Sequence, residues 1–466
     1  MVNRALTDDR VQISIDGEEL RSSQLTADVS AGFYRVGSNF KIITLILAGL
    51  FIMGLVPFII RCLSGFDDDQ RSEWGYIGSL FGFLMLTAGS APLVAVAFRM
   101  TRNHWRRPFS RISELYAIVG MFTLSLMLPL MAILPTLEGR HSLWVLPDVF
   151  RGDFVWYDFA AVAGLVICGI SLLFLSALPD MALLSRHDEG RRARVLAKIT
   201  RKWNGSRKQW EWHQRGIWAF GTFYFMLLIF VQTIIAVDFV MSLVPGWIDS
   251  IMPAHQALTG LQCALGSVIV GAFIVRTFGP YKKYIPMESF WSISKVLLAL
   301  SLLWAYFWFA ALITFWYGRT PDEQNILKTF MFESYRIPFL INFFCSFLIP
   351  FGMLIWNPVR KSVIGPTIAG VSVLIGAYFM TVRLYVPAFG LENVTGHSLD
   401  LVPLPITPNI FDILIIIGGL SGAALIFMLA SKIIPIISIW EMKEGLLYQR
   451  ARPFLRSRYM VLGKPE

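Results

Sequence analysis

The sequence predicts an all-α integral membrane protein of about ten transmembrane helices, arranged as two four-helix bundles plus flanking helices. Three observations predict the membrane spans. The chain has 466 residues and is 55% hydrophobic, with a mean hydropathy of +0.59, well above that of a soluble domain. Its apolar residues gather into runs of the roughly 20 residues that a helix needs to cross a hydrocarbon core. Lys and Arg crowd into alternate loops between those runs, as in a chain threaded with its basic loops on one side.

Residues 1–40 are polar, of mixed charge, and read as an N-terminal tail without a cleavable signal peptide. Apolar runs follow at about 42–60, 76–98, 112–134, 154–178, 217–240, 257–278, 290–315, 337–356, 363–385 and 410–437. The membrane domain is therefore 41–437, and 438–466 is a C-terminal tail. Mid-run prolines are few (Pro57, Pro129). An even number of spans puts both termini on one side. Most of the 41 Lys and Arg lie in the tails and after the second, fourth, sixth and eighth runs, so both termini are expected in the cytoplasm. The turn 244–247 then faces outward. The net charge of +10 belongs to these loops, with lipid head groups as counter-ions, and does not imply nucleic acid.

Two stretches echo each other. Trp105-Arg-Arg-Pro108 leads through Glu114 into the third run, and Tyr281-Lys-Lys-Tyr-Ile-Pro286 leads through Glu288 into the seventh. Two related four-helix bundles would explain the echo; the general preference of helix starts for Pro and acidic residues would explain it too.

Several chemistries are excluded. The four cysteines (Cys62, Cys168, Cys263, Cys345) fall in or beside apolar runs with no close pairing, so they form neither a disulfide framework nor an iron–sulfur site. His104, His141, His187, His213, His255 and His397 map to loops or run ends, whereas a bis-histidine haem needs ligands deep in facing helices. No haem or iron–sulfur cluster is expected on this chain, and no Walker A sequence is present.

The positive evidence is ionisable residues inside apolar runs, which are costly there and by default mark function. On the outer side stand Asp158, Asp238, Arg383 and Asp412; on the cytoplasmic side stand Glu114, Asp180, Glu288 and Lys295. Glu114, Asp180, Asp238 and Glu288 form a candidate proton path. Ser171, Ser176, Gln232, Thr233, Gln262, Ser267, Thr314 and Asn342 would be its intermediate stations. For each charge, a structural salt bridge or snorkelling to the interface is the competing account.

The run Trp304-Ala-Tyr-Phe-Trp-Phe-Ala-Ala-Leu-Ile-Thr-Phe-Trp-Tyr-Gly-Arg-Thr-Pro-Asp-Glu323 resembles the span-plus-exit signature of NrfD/PsrC-like membrane subunits. Four more stretches resemble the ActC quinol-oxidising subunit of alternative complex III: Trp105-Arg-Arg-Pro-Phe-Ser-Arg-Ile-Ser-Glu114; Trp156-Tyr-Asp-Phe-Ala160 with Leu178-Pro-Asp180; Val237-Asp-Phe-Val-Met-Ser-Leu-Val-Pro-Gly-Trp247; and Ile434-Pro-Ile-Ile-Ser-Ile-Trp-Glu441. They stand in family order across about residues 40–445.

The resemblance implies a multi-pass subunit of the bacterial cytoplasmic membrane that takes menaquinone or ubiquinone at its outer face. Its implied partners are an iron–sulfur subunit, multihaem cytochrome c subunits and a second NrfD-like membrane subunit. The family's pocket uses an Asp at the start of the fourth span, which matches Asp158. It also uses a His near the end of the third span, in a Pro-x-x-His-x-Gly-Arg context. Here the chain departs: the run is Leu128-Pro-Leu-Met-Ala-Ile-Leu-Pro-Thr-Leu-Glu-Gly-Arg140, and His141 follows it. Either His141 substitutes from the loop or the pocket is altered. Trp156, Tyr157, Asp238 and Arg383 are the residues expected to complete it. Three functional readings follow: a quinol-binding subunit, a redox-silent paralogue that scaffolds the complex or conducts protons, and a secondary transporter.

Overall fold

Ten helices in the computed structural model are long and apolar enough to cross a membrane. In chain order they are spans 1 to 10: Ser38–Ser64, Asp69–Met100, Arg107–Ile133, Val155–Leu184, Arg207–Leu243, Ile251–Phe278, Met287–Gly318, Arg336–Leu354, Ile364–Gly390 and Ile410–Ala430. The structure describes residues 12–13, 19–20, 22–134, 155–391, 396, 398–454 and 457–462. Two short antiparallel hairpins, Gln12–Ile13 with Glu19–Leu20 and Gln449–Phe454 with Ser457–Leu462, are its described strands.

Spans 2 to 5 pack in a ring as one four-helix bundle, and spans 6 to 9 as a second. The bundles meet where span 2 lies against spans 6 and 9, and where span 5 lies against span 6. Spans 1 and 10 run along each other and dock on the outside of spans 2 and 3. Odd-numbered spans begin at one end, here the basic end, and the other is the far end.

Spans 1 and 10 touch backbone to backbone. A Cβ added at Gly54 would lie 2.4 Å from the Leu414 carbonyl oxygen and 2.6 Å from the Gly418 Cα. Small residues at such a crossing are what lets two membrane helices approach. Gly54→Leu is therefore expected to push the pair apart at about 1–3 kcal/mol, read as a lower thermal midpoint in detergent. Gly164→Leu, at a glycine with nothing within 4 Å, is the matched control. Equal midpoints for the two variants would refute the contact.

Helix interruptions are where the structure departs most from the pattern of apolar runs. Span 2 breaks into two helices, Gly75–Thr87 and Pro92–Met100, with Gly89, Ser90 and Ala91 in the turn between them. Pro92 has no N–H to continue the ladder, so Pro57 and Pro129 are not the only mid-span prolines that matter. Span 8 contains a π-helical turn, Phe344–Leu348, a wider turn that frees carbonyls from their usual partners. Span 10 stops at Ala430 rather than 437, because the chain turns there and Pro435 cannot resume the helix.

Both stretches expected as tails contain packed helices. Ser22–Tyr34 buries Leu25, Val29 and Phe33, one stripe at four-residue spacing. Its Asp28 accepts from Tyr284 at 2.7 Å and pairs with Lys283 at 2.6 Å, and the Tyr34 hydroxyl donates to the Leu184 carbonyl. Ile439–Tyr448 folds under the first bundle and inserts Glu441 into it.

Candidate functional site

Helical periodicity explains what the start of span 4 presents inward. Asp158, Val162 and Leu165 share a buried face, whereas Trp156 and Tyr157 turn outward at 61% and 48% exposure. Asp158 itself is 0% exposed. Spans 4 and 5 are antiparallel: His213 Nε2 lies 2.9 Å from the Leu175 carbonyl, and Cys168 Sγ donates to the Phe220 carbonyl at 3.3 Å. Continuing that pairing to the far end carries Asp158 and the equally buried Asp238, last residue of its helix, to the same end of one helix pair. His141 lies outside the described residues.

The chain after Asp238 does not become a solvent loop. Phe239, Val240, Leu243 and Val244 are buried, and the Ser242 hydroxyl donates to the Asp238 carbonyl at 2.8 Å. Gly246, at φ +74, provides the left-handed turn that a side chain would strain. Trp247 follows into the second bundle, 4.8 Å from the Phe330 ring. The Val237–Trp247 stretch thus ties the two bundles together at their far ends.

Beyond that turn, Asp249 accepts from the backbone N–H of Ile251 (2.8 Å) and Met252 (3.2 Å) and so caps span 6. Burial pushes its carboxyl above the usual range, against the pull of those two hydrogen bonds. Trp247, Asp249, His255, Trp308, Phe330 and Arg383 surround a cavity of about 40 Å³. His255 sits in the second turn of span 6, its ring 4.9 Å from that of Trp304. The Arg383 guanidinium donates to the Phe330 carbonyl at 3.4 Å and lies 5.4 Å from the Phe339 ring centre. Four buried nitrogens of the lining, Trp247 Nε1, His255 Nε2, Trp308 Nε1 and Arg383 Nε, have no hydrogen-bond partner among the described residues. A cavity of this size admits a few waters, which suit such groups, but no quinone ring. Arg383, grouped with the outer residues in the sequence, therefore belongs to the second bundle; Trp156, Tyr157, Asp158 and Asp238 do not line its cavity.

The interrupted helices organise a buried polar belt at mid-depth. The Tyr224 hydroxyl donates to the Gly89 carbonyl at 2.6 Å, and Gln232 donates to the Met85 carbonyl (3.0 Å) and the Ser90 hydroxyl (3.1 Å). The Ser113 hydroxyl donates to the Ala91 carbonyl at 2.6 Å. In the second bundle Gln262 donates to the Ser301 hydroxyl (2.9 Å) and the Ser346 carbonyl (2.7 Å). The Ser346 hydroxyl donates to Asn342 at 3.0 Å, and that of Ser372 to the Cys345 carbonyl at 2.9 Å. Carbonyls freed inside a membrane need such partners, which is the structural reason these side chains are polar. Of the stations expected from sequence, Gln232, Gln262, Asn342, Ser176 and Ser267 are buried. Ser171 and Thr233 are half-buried, and Thr314 faces outward. The break itself escaped the hydropathy pattern, although Gly89-Ser90-Ala91-Pro92 carries its signal.

At the basic end, Glu114 and Asp180 come together, both within an arginine network. Arg99 bridges Glu114 and Glu441, each at 2.6 Å; Arg106 meets Glu441 at 2.5 Å; Arg111 meets Asp180 at 2.8 Å and Glu114 at 3.5 Å. Asp180 also accepts from the Trp440 backbone N–H (2.9 Å) and the Ser438 hydroxyl (3.2 Å). Burial works against charge on Glu441, yet Arg106 and Arg99 hold its carboxyl well below the usual carboxylate range. Glu288 stands apart, half-buried at the start of span 7. Asp412, at the far end, completes a capping box with Asn409 and pairs with buried Arg61 at 2.6 Å, a structural role. Lys295 stacks over the Trp291 ring at 3.7 Å. Nothing in the sequence around Glu441 marks that carboxylate, because Arg99 and Arg106, its partners, lie more than 300 positions away.

Among the described residues no group of three His, Cys, Asp or Glu side chains is arranged to hold a metal ion. Fold and site together define a polytopic, all-α membrane protein with ionisable groups buried at both ends and a polar belt between them. Searches of the chain against protein-family models and against curated proteins find no match.

Proposed function

We propose that this chain is the membrane, quinol-binding subunit of a multi-subunit quinol:cytochrome c oxidoreductase of the NrfD/PsrC-like kind, nearest to ActC of alternative complex III. In this reading the basic end lies in the cytoplasm of a bacterial inner membrane. The far end binds menaquinol or ubiquinol and docks an iron–sulfur subunit, multihaem cytochrome c subunits and a second membrane subunit of the same kind. The observation that carries it is the pair Asp158 and Asp238, both 0% exposed at the far end of spans 4 and 5. Ionisable groups so placed are costly unless they are used.

Oxidising a quinol releases two protons and two electrons, so a base must take each hydroxyl proton as electrons leave for the partner's cluster. Asp158 accepts one proton. His141 is the candidate for the second, and Asp238 is a further carboxylate at the same end of the helix pair. Trp156 and Tyr157 are exposed beside Asp158 at the start of span 4, where a ring entering from the bilayer would meet them.

A second reading, a redox-silent subunit that conducts protons, draws on the second bundle. There the cavity beside His255 and Arg383 and the Gln262–Ser301–Ser346–Asn342 chain lie in one helix bundle, while the carboxylates Glu114 and Asp180 sit in ion pairs. The transporter reading expects broken helices in matching positions of two halves. Span 2 is broken, but its counterpart, span 6, is one continuous helix from Ile251 to Phe278.

Photolabelling the purified complex with an azidoquinone separates the first two readings. Label on peptides covering 154–165 and 236–247, competed away by excess quinone, is the expected result. Competable label confined to another subunit would sink the quinol site on this chain and leave proton conduction or scaffolding.

A further inference from the structure

A large open cleft runs between the span 1–span 10 pair and the two bundles, in the basic half of the molecule. Its volume is about 1410 Å³, above the range of pockets that take drug-sized ligands. Its walls are apolar: Phe40 and Ile43 from span 1, Phe83 from span 2, Ile274 from span 6, and Ala424 and Phe427 from span 10. The rim at the basic end is cationic. Lys432 and Arg35 line the cleft there, and Arg192 lies beside them.

Among the described residues neither Lys432, Arg35 nor Arg192 makes an ion pair with a carboxylate. The Lys432 ammonium donates to the carbonyls of Gly32 (3.0 Å) and Arg35 (3.2 Å), at the C-terminal end of the Ser22–Tyr34 helix. That uses two of its three donors. Arg192 donates to the neighbouring carbonyls of Phe33 and Tyr34. Burial, with Arg192 close by, pulls the Lys432 amine below its usual range, as expected where a cation sits without its counter-ion.

We propose that this cleft is a binding site for one anionic phospholipid, its acyl chains between spans 1, 6 and 10 and its phosphate against Lys432 and Arg35. An apolar slot of this size open to the bilayer fills with acyl chains, and basic residues at head-group depth select the anionic ones. A quinone would bring a neutral ring to the same charges and leave them unanswered. The site is at the opposite end from Asp158, so it stands or falls apart from the quinol reading.

The test is native mass spectrometry of the delipidated full-length chain. It is titrated with phosphatidylglycerol and, separately, with phosphatidylcholine of identical acyl chains. One tight phosphatidylglycerol per chain is expected, with phosphatidylcholine weaker. Lys432→Ala should weaken phosphatidylglycerol about five-fold and leave phosphatidylcholine unchanged. Ala424→Trp, which fills the slot, should remove the tight site altogether. Equal binding of the two lipids by the wild-type chain overturns the proposal, a comparison that needs no variant to fold. So does one-for-one displacement of phosphatidylglycerol by a quinone, which would make the cleft a quinone site.

Discussion

Asp158→Asn is expected to lower quinol:cytochrome c activity of the assembled complex by about 10²–10⁴-fold, the usual contribution of a positioned general base. Asparagine matches aspartate in shape but cannot take a proton, so the variant removes the chemistry and keeps the volume of the buried side chain. The rate should therefore fall with little change in thermal midpoint. Bound quinone, extracted and quantified, reports whether the carboxylate also holds the head group. Activity within a factor of two of wild type would sink the role of Asp158. The chain would then be read as scaffold or proton path, with oxidation on another subunit.

Glu441→Ala should produce the largest loss of stability, about 3–5 kcal/mol, the cost of breaking a buried ion pair from one side. Glu441 is 0% exposed and is the anion that Arg99 and Arg106 share. Without it, Arg106 keeps only the Ser110 hydroxyl at 3.0 Å as a side-chain acceptor, and Arg99 keeps Glu114. The Arg106 guanidinium is then buried near Arg99 without a carboxylate of its own, since Glu114 is held by Arg99 and Arg111. The pH dependence has a definite sign. The folded carboxyl titrates below its unfolded value of about 4.3, so its stabilisation is complete above that pH and is lost as pH falls through the folded value. Thermal melts from pH 7 down to pH 3 should show an acid-side fall that Glu441→Gln reduces. A variant melting within about 0.5 kcal/mol of wild type would mean that water replaces the carboxylate without penalty.

The network also explains how a C-terminal tail comes to hold a packed helix. Residues 439–448 are short and mixed in polarity, with nothing in their own pattern to place them. Their position follows from Asp180, which accepts from the Trp440 backbone, and from the arginines waiting for Glu441. In the N-terminal tail the helix at 22–34 does carry a local signal, the stripe Leu25, Val29 and Phe33. Charges on span ends were ambiguous for a related reason. Asp412 and Asp180 look alike in sequence, as carboxylates at span boundaries. Only their partners, Arg61 at one end and Arg111 at the other, distinguish counter-ions from groups still to be explained.

The sequence by itself determined the fold class, the number of spans and the end at which the basic residues gather. Burying a helix in hydrocarbon needs only length and apolarity, and both are local properties. It also singled out Asp158 and Asp238, since a carboxylate in an apolar run is visible without any partner. Tertiary structure alone decided that Arg383 and His255 share a small cavity in the second bundle, away from Asp158. It alone decided that span 2 breaks at Gly89–Ala91 and that Gln232, Tyr224 and Ser113 satisfy the freed carbonyls. Those pairings join residues more than a hundred positions apart, or on different helices. Hydropathy averages over a window and registers no partner, so only packing could reveal which polar groups answer one another.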